Sequence, residues 1–227
     1  MRNIMMWKGE TNLMHGVVME KMPSIPAPVE RGEQIVIPGR DGEVWRGEDA
    51  AENVPIPVQL WVKPRADLSE VKEWLSGEGE LFLGADHNHW RARVSEPGDY
   101  VPCAFNDGWR VTITFDCFPY RIAPDDTLTY LTSPGTIYNM YKRPAKPVIR
   151  LELAGDAEIN FCGTEIAISG LTGTVWVDCE LLECYTADGL AGNHMRGRFP
   201  VIPPGTSEIS WTGDVQTMKV KPGWRLK

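Results

Sequence analysis

The sequence of 227 residues contains no apolar run approaching the roughly 20 residues that cross a bilayer, so no membrane insertion is expected. Its opening segment, residues 1–16, has too short an apolar stretch for a secretory leader and no small-residue cleavage site. Synthesis and folding in a cytoplasm are therefore expected. The five cysteines (Cys103, Cys117, Cys162, Cys179 and Cys184) form no Cys-x-x-Cys pair. An odd count without such pairs argues against a disulfide framework and against a zinc ribbon. Cys117 and Cys179 instead occupy apolar-phase positions of expected strands and read as small buried hydrophobes. No internal repeat and no low-complexity tract is present.

Positive charge is also scarce where it would matter. The net charge is −8. Residues 1–130 carry 13 Lys and Arg against 21 Asp and Glu, whereas residues 131–227 carry 10 against 10. All the excess acid lies in the first half. A protein that grips phosphates needs the opposite sign, so specific nucleic-acid binding is disfavoured.

Catalytic signatures are thin. There is no Gly-x-Ser-x-Gly elbow, and Gly39-Arg40-Asp41-Gly42 lacks the spacing, the Lys and the following helix of a P-loop. That segment reads as a turn, with Asp-Gly suited to left-handed backbone positions. The most metal-like string is Asp86-His87-Asn88-His89. His87 and His89 would share a face on a strand, but no third ligand is near, and two histidines of a solvated turn is the reading preferred here. Acidic pairs such as Asp125-Asp126 fall in loops. No catalytic, cofactor-binding or metal residue is therefore assigned, and the chain is read as a non-enzyme with no cofactor. The competing reading, a hydrolase, would need convergent carboxylates from distant positions.

What the sequence does have is period-two alternation, the mark of half-buried strands. Ile56, Val58, Leu60 and Val62 alternate with polar or proline positions, as do Trp90, Ala92 and Val94, and Val111, Ile113, Phe115 and Cys117. The second half repeats the pattern in Ile149, Leu151 and Leu153, in Ala157, Ile159 and Phe161, and in Val175, Val177 and Cys179. Turn signals are read at Ala154-Gly155-Asp156, Cys162-Gly163, Gly170 to Gly173, Asp188-Gly189, Pro203-Pro204-Gly205 and Thr212-Gly213. A single helix is expected over Leu68 to Leu75, capped by Asp67 with Glu70 completing a capping box and Ser76-Gly77 stopping it. Prolines 124, 134, 144 and 147 and the change in charge balance place a boundary near residue 132. The expectation is mainly β: a sandwich-like or barrel-like domain with one short helix over residues 1–131, then a β-sandwich or jelly roll over residues 132–227.

Several of the nine tryptophans sit out of phase. Trp61 lies on the polar phase of its strand, Trp45 in the charged segment 40–52, and Trp176 between Val175 and Val177. Trp45 has little nearby sequence to bury it, so an interface role is expected for it. Trp176 and Trp211 are candidate glycan-stacking residues.

The ordered elements resemble a known family. Met14-His15-Gly16-Val17-Val18 leads to Met22-Pro23-Ser24-Ile25-Pro26, then Ile37-Pro38-Gly39-Arg40-Asp41-Gly42, the strand from Ile56 to Lys63, the helix, Gly77-Glu78-Gly79-Glu80-Leu81, and Val111 to Pro119-Tyr120. The second half adds Pro147 to Leu151, Val177-Asp178-Cys179-Glu180, and Phe199-Pro200 to Pro204-Gly205 leading into Ile209 to Gly213. This series is similar to the siphophage distal tail proteins, also described as phage tail family proteins. The resemblance implies a homo-hexameric ring formed by the N-terminal domains, stacked under the tail tube, with a galectin-like C-terminal β-sandwich pointing outward. It implies a location at the virion tail tip, assembly in the host bacterial cytoplasm, and tail tube, tail-associated hub or lysin and tape measure proteins as partners, with a receptor-binding protein as a further candidate. DNA would pass through the ring, and an acid-rich first domain would give that lumen a sign that repels phosphates. Segment 34–56 is expected to reach onto the adjacent subunit, with Arg40, Asp41, Trp45 and Arg46 at the interface. The alternative function is a carbohydrate-binding or receptor-binding β-sandwich module at the tail tip.

Overall fold

A computed structural model describes residues 3–85, 87–124 and 127–226. The chain is mainly β, with 55% strand and 6% helix. It divides into two units, residues 1–121 and residues 122–226. The expected division near residue 132 falls inside the second unit, because the strand Thr129–Leu131 pairs within that unit's sheet.

Unit 1 contains β1 (Met5–Trp7), β2 (Glu10–Thr11), β3 (Val17–Met19), β4 (Glu30–Val36), β5 (Glu43–Ala51), β6 (Val54–Val62), α1 (Leu68–Trp74), β7 (Glu78–Leu83), β8 (Trp90–Glu96), β9 (Val101–Pro102) and β10 (Trp109–Cys117). The main sheet runs in the order β2-β1-β7-β8-β10-β6-β3, with β9 added on β10. Alternation drives it. Ile56, Val58, Leu60 and Val62 on β6 stand opposite Phe115, Ile113, Val111 and Trp109 on β10, and the core members of both strands are buried. The intervening residues face the other way, as the period of two requires. Trp7 meets Phe115 edge-on at 5.0 Å in the middle of this core. Buried Asn12 ties the strand ends: its Oδ1 accepts from Met5 N at 2.9 Å, and its Nδ2 donates to Val17 O at 3.1 Å.

The helix forms where the sequence places it. Asp67 Oδ1 accepts from the backbone N–H of Ser69 (2.8 Å) and Glu70 (3.3 Å), satisfying donors that have no intrahelical partner. Val71, Trp74 and Leu75 are buried, and the Trp74 indole donates to Trp7 O at 3.2 Å. The reciprocal half of the expected capping box is diverted. Glu70 Oε1 lies 3.2 Å from His15 Nδ1, while His15 Nε2 meets Glu10 at 2.8 Å and the imidazole stacks on Trp74.

Unit 2 begins within the two-residue strand β11 (Arg121–Ile122). It contains β12 (Thr129–Leu131), β13 (Gly135–Asn139), β14 (Val148–Phe161), β15 (Thr164–Ile168), β16 (Gly173–Asp178), β17 (Glu183–Thr186), β18 (Gly189–Leu190), β19 (Met195–Gly197), β20 (Gly205–Lys221) and the short β21 (Arg225–Leu226). Its nine-stranded sheet runs β12-β20-β14-β16-β17-β18, with β13 on β20 and with β15 and β19 extending from β14. Ile149, Leu151, Val175, Val177, Met218 and Val220 build the centre of its core.

Two expected turns are absent. Ala154-Gly155-Asp156 and Thr212-Gly213 both lie inside long continuous strands, β14 and β20, which pair with each other. The pairing register shifts between Leu153 and Ala157, so these residues form a bulge rather than a reversal. Gly213 stands opposite Ala157 at φ 85, and a Cβ there would lie 2.3 Å from Asp156 O. The glycine marks a close backbone approach within a strand, which carries the same local signature as a turn.

Candidate functional site

Segment 30–51 leaves the body of unit 1 as its own two-stranded sheet, β4 paired with β5 and with no other strand. Its reversal uses Gly39 and Gly42, both at positive φ, with Arg40 N donating to Ile37 O at 3.1 Å. Arg40 and Asp41 sit exposed at this tip. No described side chain of the hairpin is buried, although the ribbon carries Ile35, Val36, Ile37, Val44 and Trp45. An isolated two-stranded ribbon is marginal in water, so one this long with apolar groups on both faces is short of a partner.

Trp45 is seated within the ribbon itself. It stands opposite Gln34, and its indole spreads over the adjacent glycine pair Gly32 and Gly47, so closely that a Cβ on Gly32 would lie 2.6 Å from the ring. The glycines supply a flat seat, and the outer side of the indole stays in solvent at 52% exposure. Arg46 faces Glu33 across the ribbon at 3.9 Å, with both side chains largely exposed, a geometry that contributes little energy. The four residues expected at an interface therefore all lie on this one hairpin.

Trp61, on the outer face of β6, is covered by a loop of its own unit. Its Nε1 donates to Asp107 O at 2.7 Å. That loop holds Phe105 and Asn106 at positive φ (59° and 61°), and Phe105 is fully exposed. Nothing in the alternation pattern marks Phe105, because its exposure follows from a left-handed loop backbone rather than from strand phase.

The histidine string does not build a metal centre. His89 stacks on Phe82 at 4.8 Å and lies 3.7 Å from Glu80, and His87 is exposed. Asp86, like Asp125 and Asp126, lies outside the described residues. Among the described residues no group of three or more His, Cys, Asp and Glu could hold a metal ion. Burial pushes the thiols of Cys117 and Cys179 up to about 12, so neither is a nucleophile at neutral pH.

In unit 2 the two candidate stacking tryptophans have different surroundings. Trp176 is one rung of a cross-strand row, Tyr130–Lys219–Arg150–Trp176–Tyr185–Leu190, set by the pairing register of successive strands. Arg150 lies over the indole at 5.7 Å, and Tyr185 stacks on it at 5.5 Å and 8°. Its neighbours thus occupy the ring surface that a sugar would need. Trp211 stands opposite buried Ile159 and packs against the core. The same strands carry an open groove of about 480 Å³, and Trp211 is among the residues that line it. Two cross-strand rows cross it: Thr212–Glu158–Ala167–Arg196, and Ser210–Asn160–Glu165. No motif marks these polar residues in the sequence, since period-two alternation cannot separate a binding face from a solvated one.

The fold and these surfaces define a class: a mainly-β protein of two units, with a separate two-stranded ribbon on the first and a nine-stranded sheet in the second. No protein-family model and no curated protein matches the chain in sequence. The fold is nevertheless shared with solved proteins. The SPP1 Dit (gp 19.1) protein, described as a paradigm of the hub adsorption apparatus in phages infecting Gram-positive bacteria, superposes with a TM-score of 0.64 at 14% identity, over 96% of this chain and 98% of that one. A chain of the phage P2 baseplate, in its activated conformation with calcium, matches with a TM-score of 0.51 at 10% identity, over 97% of both chains. The chain has a mainly-β, Dit-like fold along its whole described length.

Proposed function

We propose that this protein is a structural subunit of a bacteriophage tail tip. In this reading it forms a homo-hexameric hub ring that joins the tail tube to the tail-tip or baseplate proteins and lets DNA pass. The observation that carries the reading is the end-to-end fold likeness to a phage hub protein, which spans both units rather than one shared module. Fold alone does not specify function, so the reading also leans on surfaces of this chain. The exposed ribbon of β4 and β5 has the form of a clasp, with Arg40, Asp41, Trp45 and Arg46 offered to the adjacent subunit. The acid excess of residues 1–130 suits a lumen that must not hold DNA. Unit 2 would face outward, and tail tube, hub and tape measure proteins would be the axial partners.

Deleting residues 42–53 and measuring mass by light scattering tests the clasp. Loss of the ring, with the circular dichroism of both sheets retained, is expected. An unchanged hexamer would count against it. A second reading, a carbohydrate-binding module in unit 2, is favoured by the polar groove across β20, β14, β15 and β19, which Trp211 also lines, rather than by Trp176.

A further inference from the structure

The groove on the outer face of unit 2 combines three properties. Its polar groups are of both kinds and both signs: the carboxylates of Glu158 and Glu165, the guanidinium of Arg196, the amide of Asn160 and the hydroxyls of Ser210 and Thr212. All of these side chains are exposed, and among the described residues none of Glu158, Glu165, Arg196, Ser210 and Thr212 has a side-chain hydrogen bond or ion pair within the chain. On the neighbouring strands some outward polar groups are paired, as Arg150 is with Glu152 and Glu152 is with Thr174. Here donors and acceptors stand side by side with nothing to satisfy them but solvent or a ligand.

The second property is preorganisation. The groove is carried on paired strands, not on loops. Asn160 Oδ1 is fixed by the N–H of Gly163 at 3.1 Å, which leaves its NH₂ to donate outward. Glycines hold the strands tightly together at both ends. A Cβ at Gly197 would lie 2.3 Å from Glu165 O, and one at Gly213 2.3 Å from Asp156 O. The third property is size and charge. A volume of about 480 Å³ falls within the range of small-molecule sites. Two carboxylates against one guanidinium repel phosphate and carboxylate ligands, and the described residues contain no metal-binding group.

We propose that this groove binds a neutral saccharide of about two rings, held chiefly by hydrogen bonds to its hydroxyls from Glu158, Asn160, Glu165, Arg196 and Ser210, with Trp211 also in the lining. Vicinal hydroxyls act as donor and acceptor together, which is what alternating carboxylate, amide and guanidinium groups on adjacent strands match. This gives a ligand class to the carbohydrate-module reading and is independent of the ring. The ring stands or falls on mass and symmetry, the groove on binding.

The test is a ¹⁵N-HSQC titration of the full chain with lactose, maltose and N,N′-diacetylchitobiose, and separately with a poly(glycerol phosphate). Open, hydrogen-bonded sites of this kind bind in the millimolar range, about −4 kcal/mol, so the titration must reach that concentration. Saturable shifts confined to residues 158–167, 196–197 and 210–212 are expected with at least one neutral disaccharide. Asn160→Ala and Arg196→Ala should each weaken binding about tenfold or more, with unchanged spectra elsewhere, and Trp176→Phe should leave it intact. No groove shift with any of the three disaccharides, shifts that follow Trp176 instead, or preferential binding of the polyanion would each overturn the proposal.

Discussion

Substituting Gly213 by alanine tests how β14 and β20 are locked together, and Gly163→Ala supplies the control. Both glycines have left-handed backbone, φ 85 and φ 81. Alanine at either site meets the same conformational cost, about 1–2 kcal/mol. Only their surroundings differ. A Cβ at Gly163 meets nothing within 4 Å, whereas one at Gly213 would lie 2.3 Å from Asp156 O and 3.1 Å from Ala157 Cα. Both of those contacts are backbone and cannot rotate away. The strands must separate locally, which adds an overpacking cost of about 1–3 kcal/mol. Gly163→Ala should therefore destabilise unit 2 by about 1–2 kcal/mol and Gly213→Ala by about 2–5 kcal/mol, the larger loss of the two. Urea unfolding followed by circular dichroism reads the difference as a displaced midpoint at constant slope. Equal losses for the two variants would refute the close approach, and with it the explanation of why a Thr-Gly pair sits inside a strand rather than at a turn.

Other expectations follow from the same contacts. Cys117 and Cys179, one in each unit, should resist thiol reagents at pH 8 in the native protein and react fully in denaturant, as followed by mass spectrometry. Because burial holds their thiols protonated up to about 12 against 9.0 for the free group, the folded state keeps protons that the unfolded state releases. Their stabilisation is thus complete below pH 9 and is lost as pH rises towards 12, about 1 kcal/mol each by pH 10. Rapid labelling in the folded state would contradict this. Asp67→Ala removes the acceptor of two helix N–H groups and should cost about 1 kcal/mol in unit 1; a neutral result would mean water replaces it. Trp61→Phe breaks the bond to Asp107 O and should raise amide exchange at Ala104 to Asp107 while sparing β6.

Much of the architecture was legible because burial and alternation are directly coupled. The strand Val54–Val62, its partner Trp109–Cys117 and the capped helix follow from residue phase and from Asp67 alone. The misread turns in the second half show where the coupling ends. Gly155 and Gly213 carry the signal of chain reversals, but Gly213 is equally required where two backbones of a bulged ladder nearly touch, Gly155 faces the Asp214 side chain in the same ladder, and one-dimensional sequence does not distinguish these from turns. Glu70 shows a second limit. Its spacing from Asp67 fits a capping box, yet His15, distant in sequence, takes the carboxylate. Trp45 is expected at an interface for want of local burial; the ribbon's own glycines seat one side of its indole, which the sequence did not show, and the other side stays exposed. Of the groove, only Trp211 was legible; its polar residues were not, since exposed polar residues on alternating strands look alike whether they meet water or a ligand.

The central claim is that this chain assembles into a tail-tip ring, and the most direct measurement is the mass and symmetry of the full-length protein by light scattering and electron microscopy over a concentration series. The account predicts a closed particle of six copies of the 25.4 kDa chain, with a central hole and sixfold class averages, lost when residues 42–53 are removed. A single-chain mass at every concentration, with no ring formed even on mixing with the tail tube protein, would contradict it.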